Sequence, residues 1–104
     1  MTRAIADGLE NFRRELESAL TAALVRDDVD CEDNRRHARC AVTPGAKYAR
    51  VDSGTSGKYM VDLVTGEIFG IKGYGRVHLG HRYGTLETVG EWDWGHYYAK
   101  RRAT

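Results

Sequence analysis

Apolar residues at the start of the chain recur at three- and four-residue steps: Ile5, Leu9, Phe12, Leu16, Ala19, Leu20, Ala23 and Leu24. That spacing lines them along one stripe of an α-helix. Glu10, Arg13, Arg14, Glu15 and Glu17 fall between them and face solvent. Thr2 is the expected N-cap, Gly8 is a weakness costing up to about 1 kcal/mol, and the helix is expected from Arg3 to Arg26. The stripe is broader than a coiled-coil seam, so the helix is expected to lie across the apolar face of a sheet.

The period then changes. Lys58-Tyr-Met-Val-Asp-Leu-Val-Thr-Gly-Glu-Ile-Phe-Gly-Ile-Lys72 reads as a β-hairpin. A three-residue loop, Val64-Thr65-Gly66, puts only glycine in the left-handed region, where a β-branched residue is disfavoured. In that register Leu63 faces Glu67, Val61 faces Phe69 and Tyr59 faces Ile71, which collects five side chains, nearly all apolar, on one face. Two more short strands are expected before it, from Ala38 to Thr43 and from Tyr48 to Asp52. A Pro44-Gly45 type II turn joins them, and Ser53 to Gly57 forms a flexible connection to the hairpin.

The remaining segments are less periodic. Asp27 to Asn34 is acidic and rich in turn formers, and Arg35-Arg36-His37-Ala38-Arg39 reverses its sign, so residues 27–37 read as a charged connector with local ion pairs. From Gly73 onward the glycine density favours a winding loop. Thr85 is a candidate cap for a short turn through Leu86 and Val89. Glu91 to Ala99 alternates as a final strand would, with Trp92, Trp94, His96 and Tyr98 on one side.

The chain's 104 residues make one domain, residues 1–104, of class α+β. One N-terminal amphipathic helix (1–26) packs on a small antiparallel meander of three to five strands. The connector takes 27–37, the antiparallel strands 38–72, and a Gly- and aromatic-rich C-terminal wrap 73–104. Nine of the ten aromatics and ten of the twelve glycines lie after position 47, so the two halves differ in how they build a core. Charge divides similarly. Residues 1–33 carry four basic and nine acidic side chains, and residues 34–104 carry twelve basic and six acidic, although the whole chain is only +1. That overall balance argues against a general nucleic-acid coat protein and leaves local phosphate binding open.

Residues Tyr59-Met-Val-Asp-Leu-Val-Thr-Gly-Glu-Ile-Phe-Gly-Ile-Lys-Gly-Tyr-Gly75, then Tyr83-Gly-Thr-Leu86 and Trp92-Asp-Trp-Gly-His-Tyr-Tyr-Ala99, resemble a motif of small actinobacteriophage proteins of the mycobacteriophage type. The resemblance covers roughly residues 47–102 and leaves out the N-terminal helix and the Cys/His segment. It implies a phage gene product acting in a bacterial cytoplasm and supplies no catalytic residues to carry over.

Candidate chemistry is sparse. Cys31 and Cys40 lie too far apart in sequence for a zinc pair, and His78-x-x-His81 falls in the expected loop, so no metal site is expected. The two cysteines could form one disulfide, but reduced thiols are the default in a cytosol. There is no nucleophile elbow and no dinucleotide fingerprint around Gly73, so neither an enzyme nor a cofactor is expected. No membrane-spanning run or signal segment is seen, which points to a cytoplasmic protein with no membrane partner.

What remains is binding. Tyr74, Arg76, Arg82, Tyr83, Trp92, Trp94, Tyr97, Tyr98, Lys100, Arg101 and Arg102 form a basic, aromatic segment. Such residues serve as hot spots for a protein partner. They equally suit single-stranded DNA or RNA, with cations on phosphates and rings on bases. The first expectation is a non-enzymatic phage accessory protein that binds and modulates a host macromolecule, most readily a protein. Nucleic-acid binding is the alternative. An edge strand or the helix stripe could also support a homodimer.

Overall fold

A computed structural model describes residues 1–73 and 76–102. Helix α1 spans Arg3–Arg26, and the Thr2 side chain accepts from the Ile5 N–H at its start. A five-stranded antiparallel sheet follows in sequential order: β1 Cys40–Pro44, β2 Tyr48–Ser53, β3 Ser56–Asp62, β4 Glu67–Lys72 and β5 Arg76–Thr85. The architecture is α+β, with α1 packed on the sheet as its apolar stripe predicts. Leu9, Phe12 and Leu16 of α1 are buried against Ala49, Val51, Tyr59, Val61 and Ile68.

Several local expectations are corrected. The β3–β4 register is Tyr59 opposite Gly70, Met60 opposite Phe69 and Val61 opposite Ile68, one residue away from the expected pairing. The loop therefore has four residues, Leu63 to Gly66. The reason is Asp62, whose Oδ1 accepts from the N–H groups of Val64 at 2.7 Å and Thr65 at 3.0 Å. These bonds fix a turn one residue longer, and Gly66 still supplies the left-handed corner at φ 76°. Ile68 and Gly70, instead of Phe69 and Ile71, then share the core face with Tyr59 and Val61. Phe69 and Met60 lie on the other face, where Arg82 covers the Phe69 ring with its guanidinium carbon 5.6 Å from the centroid.

The charged connector contains a second helix, α2 Glu32–Ala38. Its intrinsic propensity is poor. However, Glu32 and Asp33 occupy the first turn and Arg35, Arg36 and His37 the last, the order that the helix dipole favours. Asp30 pairs with Arg35 at 2.6 Å and Asp33 with Arg36 at 2.6 Å, as the sign reversal suggested. Gly45 does not adopt a positive φ, so the β1–β2 turn is not type II. The Ser53–Gly57 connection is a tight hairpin, with Gly54 at φ 61° donating to the Arg39 carbonyl.

The largest correction falls on the C-terminal wrap. Residues 76–85, expected as a winding loop, form β5 at the sheet edge. Thr85 does cap a 3-10 helix, Leu86–Glu91, through the Glu87 N–H. The final strand is shorter than expected: β6 Trp92–Asp93 pairs with β7 Lys100–Arg101, and residues 94–99 form a loop between them. Trp94 and Tyr98 consequently do not share one side, since Trp94 is buried and Tyr98 exposed. No helix among the described residues is long and apolar enough to cross a membrane.

The Asp62 turn gives a first prediction. Val64 and Thr65 N–H groups hold its carboxyl below the usual carboxylate range, so its contribution is present above the unfolded pKa and lost as pH falls through the lower folded value. Asp62→Ala is expected to cost about 1–2 kcal/mol in urea unfolding at neutral pH. Asp62→Asn, which keeps an acceptor, is expected to cost less and to flatten the loss of stability in acid.

Candidate functional site

The elements converge on a cleft where β3 and β4 part beyond the Tyr59–Gly70 pair. It has a volume of about 750 Å3, and its walls come from the β2–β3 hairpin, the end of β4, β5 and the 94–99 loop. Gly70 is central to its construction. A Cβ there would lie 2.9 Å from Cβ of His81, so only glycine lets β5 approach. The β4–β5 register then jumps from Phe69 opposite Arg82 to Gly70 opposite His78. The extra residues Leu79, Gly80 and His81 bulge out of the ladder and fold His81 back onto His78. The two imidazoles stack at 3.9 Å between centroids, with 22° between planes.

The opposite wall is the 94–99 loop, fixed at both ends and in the middle. Trp94 is 1% exposed and donates from Nε1 to the Val89 carbonyl at 3.0 Å. Asp93 accepts from the Gly95 N–H at 3.0 Å and lies 3.1 Å from Nε2 of His96. The Gly95 N–H, and then His96, pull the Asp93 carboxyl below its ordinary range. Arg26 of α1 donates to the Gly95 carbonyl at 3.1 Å. The loop thereby presents Tyr97 and Tyr98 at its tip, 79% and 57% exposed, with their rings 4.7 Å apart. Tyr98 meets His81 edge-on at 5.7 Å, and Lys58 Nζ sits 5.3 Å from the Tyr97 ring.

The residues expected to bind separate into distinct groups. Trp94 and Tyr83 are buried and belong to the core, so neither face is free to stack on a base. Trp92 is half-buried against Tyr83 at 5.6 Å, with Arg101 over its outer side at 6.0 Å. Arg76, Arg82, Tyr97, Tyr98, Lys100, Arg101 and Arg102 are exposed. Arg101 is held by Glu91 at 3.3 Å, and Arg82 lies 3.8 Å from Glu67. Tyr74 lies outside the described residues. The structure brings Tyr97 and Tyr98 together with Lys58, His78 and His81. Those last three had no place in the binding segment read from sequence. The signal for the histidines was glycine inside strand-like runs, Gly70 in β4 and Gly80 in β5, which marks a close backbone approach and a bulge.

Both cysteines are free. Cys31 is exposed, whereas Cys40 is buried, and burial, then the nearby Glu17 carboxylate, pushes its thiol up to about 12. Among the described residues no three His, Cys, Asp or Glu side chains are placed to hold a metal ion. Comparison with known protein families, with curated proteins and with solved structures found no match.

Two measurements check this assignment. In a Trp92→Phe variant, the fluorescence of Trp94 is expected to resist iodide quenching, and ready quenching would remove Trp94 from the core. Ellman's reagent at neutral pH is expected to react quickly with one thiol per chain, Cys31, and with Cys40 only on unfolding.

Proposed function

We propose that this is a non-enzymatic binding protein, an accessory protein of the phage type its sequence resembles, which docks on a host macromolecule through the Tyr97–Tyr98 loop. The observation that carries the reading is the presentation of two adjacent exposed tyrosines on a loop anchored by Trp94, Asp93 and Arg26. A rigid aromatic tip costs little entropy on association and suits the centre of a protein interface. Lys58 beside the Tyr97 ring, and the exposed Lys100 and Arg102 that follow the loop in sequence, favour a partner with an acidic surface, which steers encounter more than it adds affinity.

A second reading, binding of single-stranded DNA or RNA, is supported by the exposed cations Arg76, Lys100 and Arg102 together with the exposed rings of Tyr97 and Tyr98. It is weaker than the sequence alone suggests, because Trp94 and Tyr83 are removed from the set of stacking platforms. Stacking contributes about 1–3 kcal/mol per base, so losing them matters.

The two readings separate in a pulldown from host lysate with and without nuclease, using the wild-type chain and a Tyr97→Ala/Tyr98→Ala variant. The expected result is one protein partner that survives nuclease and is lost with the double variant, by more than about tenfold in affinity if the tyrosines act as hot spots. Loss of every partner on nuclease treatment would move the reading to nucleic acid. In that case affinity should fall steeply with salt.

A further inference from the structure

Among the described residues three buried side-chain atoms have no hydrogen-bond partner: Asp52 Oδ1, Tyr59 Oη and His78 Nδ1. All three side chains line the same cleft of about 750 Å3. Native proteins pair nearly all such groups, because leaving one unsatisfied costs about 1–3 kcal/mol. Asp52 is accounted for electrostatically, since Nε of Arg50 lies 2.9 Å from that oxygen. Tyr59 and His78 are not. The Ala99 backbone is near the Tyr59 hydroxyl without completing a hydrogen bond, and burial pushes that phenol upward.

A fourth group in this cleft has the matching property. Lys58 is half-buried, and desolvation pulls its pKa down. Its ammonium donates to the Tyr97 carbonyl at 3.3 Å, and among the described residues no carboxylate lies within ion-pair distance. A partly desolvated cation without a counter-ion, lining one cleft with an unpaired phenol and an unpaired imidazole nitrogen, is the complement of an oxyanion. Ordered water can pair with about two or three such groups at once, but it leaves the ammonium without a counter-ion.

We propose that the cleft binds a small phosphate ester, with its phosphate taken by Lys58, the Tyr59 hydroxyl and the His78–His81 pair. Phosphate suits the set better than carboxylate, because three or more acceptor oxygens can meet an ammonium, a phenol and an imidazole together. The cleft volume falls within the range of small-ligand sites, roughly 300–1,000 Å3, which admits a molecule of mononucleotide size. The exposed rings of Tyr97 and Tyr98 border it and offer a flat surface to the ester's organic part. This site lies beyond the macromolecular reading and stands whether or not the tyrosine tip also docks a partner.

The test is a titration of the purified full chain, followed in 1H–15N spectra, with three probes: inorganic pyrophosphate, AMP and adenosine. Pyrophosphate and AMP are expected to saturate, with shifts concentrated at Lys58, Gly70, His78 and His81, and adenosine is expected to leave the spectrum unchanged. Lys58→Met and His81→Ala should each weaken AMP at least about tenfold, the loss of one charge-assisted hydrogen bond. Arg35→Ala, on α2, should have no effect. His81 is exposed, so its variant remains informative if Lys58→Met fails to fold. The proposal is overturned if neither phosphate probe saturates by millimolar concentration, if shifts scatter over the exposed arginines, if adenosine binds as well as AMP, or if His81→Ala leaves AMP affinity unchanged.

Discussion

The structure depends on the contact of three rings: Phe12 from α1, Tyr59 from β3 and Trp94 from the C-terminal loop. Their centroids lie 4.6 Å (Phe12–Trp94), 5.2 Å (Tyr59–Trp94) and 5.7 Å (Phe12–Tyr59) apart, with the planes crossed edge to face. Each ring buries roughly 150–250 Å², and edge-on geometry adds about 0.5–1.5 kcal/mol per pair. Since the three residues come from the start, middle and end of the chain, this cluster joins helix, sheet and loop in one step. Tyr83 extends it to β5, 5.3 Å from Tyr59, and Trp92 extends it to β6. Truncating any one of these three would open a cavity where two or more elements meet, whereas losing a peripheral aliphatic would open one within a single contact.

This dependence explains which parts of the chain were readable from sequence. The helix was readable to its ends because its stripe repeats and its cap is local: Thr2 and the Ile5 N–H lie three residues apart. The class followed from one helix before several strands. The hairpin register differs by one residue from the one that backbone conformation alone predicts. Asp62 acts through its side chain, and its two hydrogen bonds select a loop that leaves Gly66 at the same left-handed corner. Strand β5 departs from the expected loop for a different reason. Its glycines suggest a loop when counted, and their role depends on what approaches them: Gly70 admits His81, and Gly84, at φ 75°, lies against Thr88 and Trp92.

The candidate site illustrates the same limit more sharply. A basic, aromatic segment was visible, but whether each ring faces inward could not be read from periodicity. Burial removes Trp94 and Tyr83 from the binding set. The bulge brings in His78 and His81, and the strand divergence brings in Lys58. The aspartate, threonine and glycine of the 62–66 segment have structural roles, since Asp62 fixes the turn, Thr65 Oγ1 accepts from the Glu67 N–H, and Gly66 makes the corner. A motif can therefore be specific in spacing and still mark a turn, with the chemistry lying elsewhere.

Charge supplies the remaining step. The acidic front and basic back of the chain do not neutralise each other across the fold. The ion pairs close locally: Glu10 with Arg13, Arg26 with Asp27, Asp30 with Arg35, Asp33 with Arg36, and Glu91 with Arg101. None of those among the described residues links α1 to the sheet. The charge is nevertheless uneven: α1 is balanced, with four acidic and four basic side chains, the acidic excess lies in residues 27–33, and the basic excess lies toward the C-terminal segment. A field of that kind orients an approaching anion before contact and fades with ionic strength over about 8–10 Å. The cleft holds Lys58, His78 and His81 together at the basic end, so long-range attraction and short-range donors would act on the same ligand. A surface cation paired to its neighbour could supply neither.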